Sequence, residues 1–307
     1  MTPAENPTPP RVHDAGAVVA FYLAGQVQVL RQQENRVLRD APDSVHKMRV
    51  GTRRLRSVLA SYGRLLQPDR ITPLREELRW LAGVLGSRRD AEVLAARLRD
   101  DIARLGDERF PAAGAVDLDP ARARIDAWEA DVVPAAQDSV VTALHSVRYR
   151  RLTAALDDLV ARPPFRARAA RPARSEMRAI MTADLRRLRR GVRRARDAAE
   201  GPERDGALHE ARKQAKRLRY TAEAAVPARP KRAARLVTTA RELQDSLGEH
   251  QDSVVARQLL GRLRADARSE GAATAGLSRL MEHENARARD AERRFLTAWS
   301  TLPTEGG

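Results

Sequence analysis

The chain has 307 residues, 42% of them hydrophobic, and carries 57 Lys and Arg against 41 Asp and Glu, a formal net charge of +16. That length supports a sizeable core, and so basic a chain repels itself unless a polyanion or an anionic surface is at hand. With no cysteine it has no disulfide, thiolate metal site or cysteine nucleophile, as in a cytoplasmic protein, and no apolar run nears the ~20 residues of a membrane span.

Residues 1–11, MTPAENPTPPR, have no apolar stretch and no signal-peptide layout, and read as a flexible tail. Strand signals are almost absent from there on, and helical periodicity runs through the chain. The spacing predicts helices over 13–40, 44–66, 70–104, 120–160, 174–199, 206–225, 230–265 and 271–299, with a kink at Pro134 in the fourth. GDERFPAAGAVDLDP (106–120) reads as a loop, ARPPFRARAARPARS (161–175) as a linker and 301–307 as a second tail. The expected fold class is all-α, with a first four-helix half over 12–160 and a second over 176–300.

The two halves repeat. VHKMRVGTRRLR (45–56) aligns without a gap to LHEARKQAKRLR (208–219), and LAGVLGSRRDAEV (81–93) to LQDSLGEHQDSVV (243–255). Two matched blocks at nearly one offset predict two four-helix bundles related by an internal pseudo-two-fold axis. Residues 1–160 hold 24 Lys and Arg against 22 Asp and Glu, whereas 161–307 hold 33 against 19. In the nearly neutral first half, a window such as 45–59, with five cations, one histidine and no acid, stands out.

On a helix at about 100° per residue, His46, Arg49, Arg53 and Arg56 fall within roughly 80° of one another. Met48, Leu55, Val58, Leu59 and Tyr62 lie opposite. The second copy repeats the layout, with His209, Arg212, Lys216 and Arg219 in front and Ala211, Leu218, Ala222 and Ala225 behind. Like charges one turn apart destabilise a helix by a few tenths of a kcal/mol per pair, so something else must favour them. Asp43 or Ser44 is the expected N-cap of the first copy and Asp205 of the second. His46, Lys47 and His209 then stand in an opening turn, where the helix dipole and free N–H groups favour an anion. A lone charged face is usually only solvated. A face duplicated with its histidine, cations and spacing points to a polyanion ligand. His13, His145, His250 and His283 do not recur, and read as structural or simply exposed.

Around the stripes, Gly86 and Gly248 are expected to allow close helix approach, and Asp90 and Asp252 either to orient a stripe arginine or to be ordinary surface acids. Arg89 joins the cationic surface, although Gln251 stands at its place in the second copy. In LRRLRRGVRRAR (185–196), Arg189, Arg193 and Arg196 share a face, and Arg31 and Arg36 lie on the corresponding first-half helix. With Lys47, these form a secondary set. There is no P-loop, no G-x-G-x-x-G, no H-x-x-x-H, no acid-rich metal cluster and no nucleophile–base arrangement. Two histidines alone are weak grounds for a metal. No cofactor, no metal and no catalytic residue are expected.

A helical duplication carrying VHKMRVGTRRLR and LHEARKQAKRLRY, each followed by an L-G-x-x-x-D block, resembles the CHAD family (conserved histidine α-helical domain) over about residues 12–299. The resemblance implies a basic central surface that binds inorganic polyphosphate, and association with polyphosphate granules. Carried over by the motif, the binding residues are His46, Arg49, Arg53, Arg54, Arg56, His209, Arg212, Lys216, Arg217 and Arg219, to which Lys213 of the same segment is added. Members are often fused to a triphosphate-tunnel catalytic domain, whose E-x-E-x-K signature is not found here, so a stand-alone, non-enzymatic binding module is expected. Two alternatives remain open. One is a nucleic-acid binder, which charge alone does not reject, although aromatics are 4% of the chain and single-strand readers want stacking platforms. The other is an enzyme using His46 as a phosphocarrier or hydrolysing polyphosphate.

Overall fold

The structure, a computed structural model, describes residues 13–106 and 116–300. The tails at 1–11 and 301–307 and most of the 106–120 loop therefore lie outside the described residues. Within them the chain is all-helical: α1 Ala15–Leu38, α2 Ser44–Ser61, α3 Pro68–Gly106, α4 Asp119–His145, α5 Val147–Ala161, α6 Ala173–Asp197, α7 Pro202–Ala225, α8 Pro230–Ser269 and α9 Ala275–Ser300. The short 3₁₀ turns are Gly63–Leu65 and Ala167–Ala170. Among these residues no helix is long and apolar enough to cross a membrane.

Three sequence expectations are corrected. The helix predicted over 120–160 is two helices: α4 runs through Pro134, and the break falls at Ser146. Ser146 is extended (φ −71°, ψ 153°), and its Oγ accepts the Tyr149 N–H at 3.1 Å, an N-cap that starts α5. The helix predicted over 44–66 ends at Ser61 and tightens into the first 3₁₀ turn. The helix predicted from 206 starts at Pro202, because proline at the first helical position lacks only an N–H that has no helical partner there. Asp205 thus stands inside the first turn rather than capping it.

The described chain forms two compact units, each drawing on both sequence halves. One comprises Met1–Ala82, Leu144–Arg190 and Lys213–Arg241, the other Gly83–Ala143, Gly191–Arg212 and Glu242–Gly307. The division at 160/176 belongs to the repeat, and the units cut across it.

In the first unit, the predicted apolar back of the first stripe, Met48, Leu55, Val58, Leu59 and Tyr62, is fully buried. So are Leu218, Ala222 and Ala225 behind the second stripe; Ala211, also buried, belongs to the other unit. Gly51 lets α1 and α2 close on each other, since a Cβ there would come within 2.8 Å of Leu30 Cδ1. The predicted linker is pinned to this unit. Gln67 N donates to Pro164 O, Arg166 N to Leu65 O, Ala15 N to Arg171 O and Ala173 N to His13 O, all at 2.9–3.1 Å.

In the second unit, Leu94, Leu98 and Ile102 of α3, Ile125 of α4, Leu259 and Leu260 of α8, and Leu277 and Leu280 of α9 form one apolar cluster. Beside it Arg97 grips the buried Glu284 (2.6 Å) and reaches Glu249 (3.1 Å). Arg287 bridges Glu249 and the buried Asp101. Burial, then the hydrogen bond with Glu284, pushes the Asp101 carboxyl up to about 6.

Candidate functional site

The first stripe lies on α2, within the first unit. His46 is the third residue of that helix and is exposed with Lys47, whereas Arg49, Arg53, Arg54 and Arg56 are half-buried. Asp43 takes the cap position in a left-handed conformation (φ 59°), and its side chain makes no cap hydrogen bond. The opening turn of α2 thus has no side-chain acceptor from its cap residue, whose carbonyl takes the Lys47 N–H at 2.9 Å, which suits an anion there.

The second stripe is divided. Lys213, Lys216, Arg217 and Arg219 belong to the first unit, and His209 and Arg212 to the second. His209 is two turns into α7 because the helix begins at Pro202, so the expectation that it stands in an opening turn fails. Its Nδ1 lies 2.6 Å from Gln251 Oε1, which accounts for Gln251 at the place of Arg89. With Asp205 and Arg257 they line a cavity of about 480 Å³. Behind it Asp205 takes His250 (3.2 Å) and Arg257 (2.9 Å), so His250 is structural, as expected. A Cβ at Gly248 would lie 3.6 Å from Arg212 Nη2, an ordinary contact: the arginine does lie over the glycine, but an alanine would also fit.

Within the first unit, α2 and the C-terminal part of α7 are joined side by side. Tyr62 donates its hydroxyl proton to Thr221 O (2.8 Å), and Arg217 donates to Ser61 Oγ and Ala60 O (both 2.9 Å). Two acids stand here, and of their pairings with the stripe segments only that of Glu223 with Arg219, one turn apart on α7, is local in sequence. Glu223 receives Arg54 Nε (3.3 Å) and Arg219 Nε (3.5 Å), with the Tyr22 hydroxyl donating to it at 3.3 Å. Asp184 of α6, 2% exposed, receives Arg217 (3.1 Å), Arg187 (2.7 Å), Ser61 Oγ (2.8 Å) and Thr221 Oγ1 (2.7 Å). Arg54 and Arg217 occupy equivalent places in the repeat and sit about 100° round the helix from Arg53 and Lys216. Both are turned into carboxylates.

The cations are also reinforced from a helix outside the expected set. Burial, and then the like charges of Arg79 and Arg75 on α3, lower the Arg56 pKa. Burial also lowers Arg217, against the pull of Asp184, and Arg187 and Arg75 add to that lowering. Arg75 and Arg79 sit in the mixed-sign run PLREELRW (73–80), whose acids disguise them in the sequence.

Of the secondary set, Arg31 pairs with Asp157 and Glu34, and Arg89 with Glu92 (3.4 Å). Arg36 is exposed in the last turn of α1. Arg189 lies in the first unit, Arg193 and Arg196 in the second. His145 and His13 are exposed, and His283 contacts Asp101 at 3.5 Å.

One substitution separates clamp from ligand site. Glu223→Gln keeps a polar side chain of the same shape beside Arg54 and Arg219 but removes the charge that competes for them. Polyanion binding is expected to tighten about fivefold, from roughly 1 kcal/mol of released ion pairing. Weaker binding, measured by titration, would mean that Glu223 instead positions the two arginines.

The CHAD domain family profile matches residues 21–261. Two proteins of Mycobacterium tuberculosis, from strains CDC 1551 / Oshkosh and H37Rv and both described as uncharacterized, are each 37% identical over 246 residues. The match takes in 78% of this chain and 44% of each relative, so the chain spans less than half their length. Among solved structures, PptA from Streptomyces chartreusis superposes with a TM-score of 0.78 at 21% identity, covering 94% of this chain and all of that one. The CHAD domain from the plant Ricinus communis superposes with a TM-score of 0.68 at 24% identity, covering 95% and 93%. Both share the fold.

Proposed function

The chain belongs to the CHAD domain family, and from that premise we propose that it binds inorganic polyphosphate without turning it over. The observation that carries the reading is the meeting, in one unit, of the first repeat copy with the C-terminal part of the second, from Lys213 onward. There α2 is hydrogen-bonded to the end of α7, and Arg53, Arg56, Lys216 and Arg219 stand on the joined helices. Arg75 and Arg79 of α3 crowd further positive charge onto Arg56. Two acids answer part of that charge: Asp184 holds Arg217, which turns away from the stripe face, while Glu223 holds both Arg54, which also turns away, and the stripe residue Arg219. A linear polyanion with one charge per phosphate relieves the remaining repulsion. The planar arginine fork grips its oxygens in pairs. In this reading His46 stands at the opening of α2, where a polyanion favours its protonated, donating form.

A cytoplasmic place at polyphosphate granules accords with this chemistry. Nucleic acid is the competing ligand. Tyr220, the aromatic beside the second stripe, is buried and takes cation–π contacts from Arg219 (4.9 Å) and Arg54 (5.8 Å). It therefore offers no open face for a base.

The test is competition at equal phosphate concentration, read at two salt concentrations. Long-chain polyphosphate is expected to displace bound DNA at both. Equal or stronger retention of DNA would assign the surface to nucleic acid. In the same preparation, phosphate release with added Mg²⁺ or Mn²⁺ should be undetectable, and turnover abolished by His46→Ala would make the protein an enzyme.

A further inference from the structure

We propose a second anion site, separate from the stripes, in the cavity that the linker makes with the turn after α2, and we assign to it a condensed phosphate of two or three phosphoryl groups. The cavity measures about 400 Å³ and is lined by Arg64, Arg166, Ala167, Arg168 and Arg171. Four arginines and no acid face it. Arg64 comes from the first 3₁₀ turn, and the others from the linker.

The cavity is built rather than draped. Its backbone is held by the bonds from Arg166 N to Leu65 O (2.9 Å), Ala169 N to Arg166 O (2.8 Å) and Ala15 N to Arg171 O (3.0 Å). The start of α1 closes on it so tightly that a Cβ at Gly16 would come within 3.2 Å of both Ala169 Cβ and Phe165 Cε2. Behind the arginines stands Glu176, 5% exposed. It takes Arg64 at 2.6 Å, Arg168 at 3.0 Å and Arg171 at 3.7 Å. Burial alone would raise the Glu176 pKa, but the Arg168 hydrogen bond and the Arg64 charge overcome it and hold the carboxylate ionised.

One carboxylate cannot answer four guanidinium groups. Arg166 has no acidic partner among the described residues, and Arg64 Nε is buried without a hydrogen bond. Glu176 therefore acts as a back plate that fixes the arginines while most of their donors stay unspent. The ligand chemistry follows from charge and size. Several fixed forks ask for several phosphoryl groups. A cavity at the small end of the ligand-pocket range excludes a duplex.

The inference stands apart from the stripe reading, and the experiment keeps the two apart. Tripolyphosphate is titrated calorimetrically into the full chain, into the stripe variant Arg53→Glu/Lys216→Glu and into Arg166→Ala/Arg171→Ala, which leaves the Arg64–Glu176 anchor in place. The stripe variant should keep its tripolyphosphate affinity, and the cavity variant should lose roughly tenfold or more. The reverse pattern, or no binding to the unaltered chain, would overturn the proposal. Footprinting of the unaltered chain with an arginine-modifying reagent guards against a misfolded variant: protection of Arg166 and Arg171 by tripolyphosphate supports the site, and unchanged reactivity sinks it. Long-chain polyphosphate on the stripe variant then identifies the source. Binding that follows the concentration of chain ends marks the terminus of a polymer as occupant, and failure of the polymer to bind there while tripolyphosphate does marks a free small anion.

Discussion

Arg53→Glu combined with Lys216→Glu is expected to weaken polyphosphate binding by about two to four orders of magnitude. Each reversal removes a charge-assisted contact worth about 1.5–3 kcal/mol, and two such losses multiply in the dissociation constant. The two residues occupy one place in the repeat, on helices that are hydrogen-bonded to each other in the first unit. The control must change net charge equally without disturbing the fold. Arg99 would be a poor one, because it is held by Asp126 (2.7 Å) and Glu129, and reversal there sets acid against acid. Arg289 and Arg294, exposed on α9, serve better. Arg289→Glu with Arg294→Glu should cost only the long-range part, severalfold at low salt and less as salt screens it. Equal losses in the two double variants would reduce the site to net charge alone.

Asp184→Ala is expected to lower unfolding stability by about 3–5 kcal/mol, the usual cost of removing one partner from a buried charged pair, and the melting temperature by roughly 10 °C. The carboxylate is 2% exposed and is the common acceptor for Arg217, Arg187, Ser61 and Thr221, which come from α2, α6 and α7. Its removal strands a half-buried arginine whose pKa burial already lowers. The double variant Asp184→Ala/Arg217→Ala should recover part of the loss, since no uncompensated charge is left inside. Strictly additive losses in thermal unfolding would show that the pair is not coupled. The same variants bear on ligand binding: with Arg217 committed to Asp184, Arg217→Ala should cost far less polyphosphate affinity than Arg53→Glu/Lys216→Glu.

The stripe helix itself was legible. A 3.6-residue period puts Met48, Leu55, Val58 and Leu59 on one side and the cations on the other, and burial follows that division residue by residue. The helix order was legible too, and the misplaced boundaries carried local signals. Ser146 is a good N-cap and Pro202 a good first helical residue, and both outweigh the apolar period that ran past them. With α7 starting at Pro202, His209 moves out of the opening turn, so only His46 and Lys47 of α2 keep the helix-start argument.

The cross-helix partners of the cations were not legible. Arg219 and Glu223 stand one turn apart on α7, a local signal for that one pair. Glu223 lies 169 residues from Arg54, and Asp184 lies 33 from Arg217, and nothing along either helix joins those pairs. Arg75 and Arg79 were hidden for the opposite reason: Glu76 and Glu77 beside them make the run look neutral along the chain, while the helix sends neighbours to different sides. The linker arginines looked like the composition of a loop. Pinned to Leu65 and Ala15, that loop becomes a wall of a basic cavity.

The sequence by itself determined the all-helical class, the repeat, the two amphipathic cationic helices and the family, because each depends on residues within a few turns of one another or on a motif read along the chain. Only the tertiary structure decided which cations are clamped by acids, which are crowded by further arginines, and that each compact unit draws on both halves. Those outcomes depend on Coulomb energies that fall with distance through space and rise with burial, and packing sets both quantities between helices that sequence order leaves far apart.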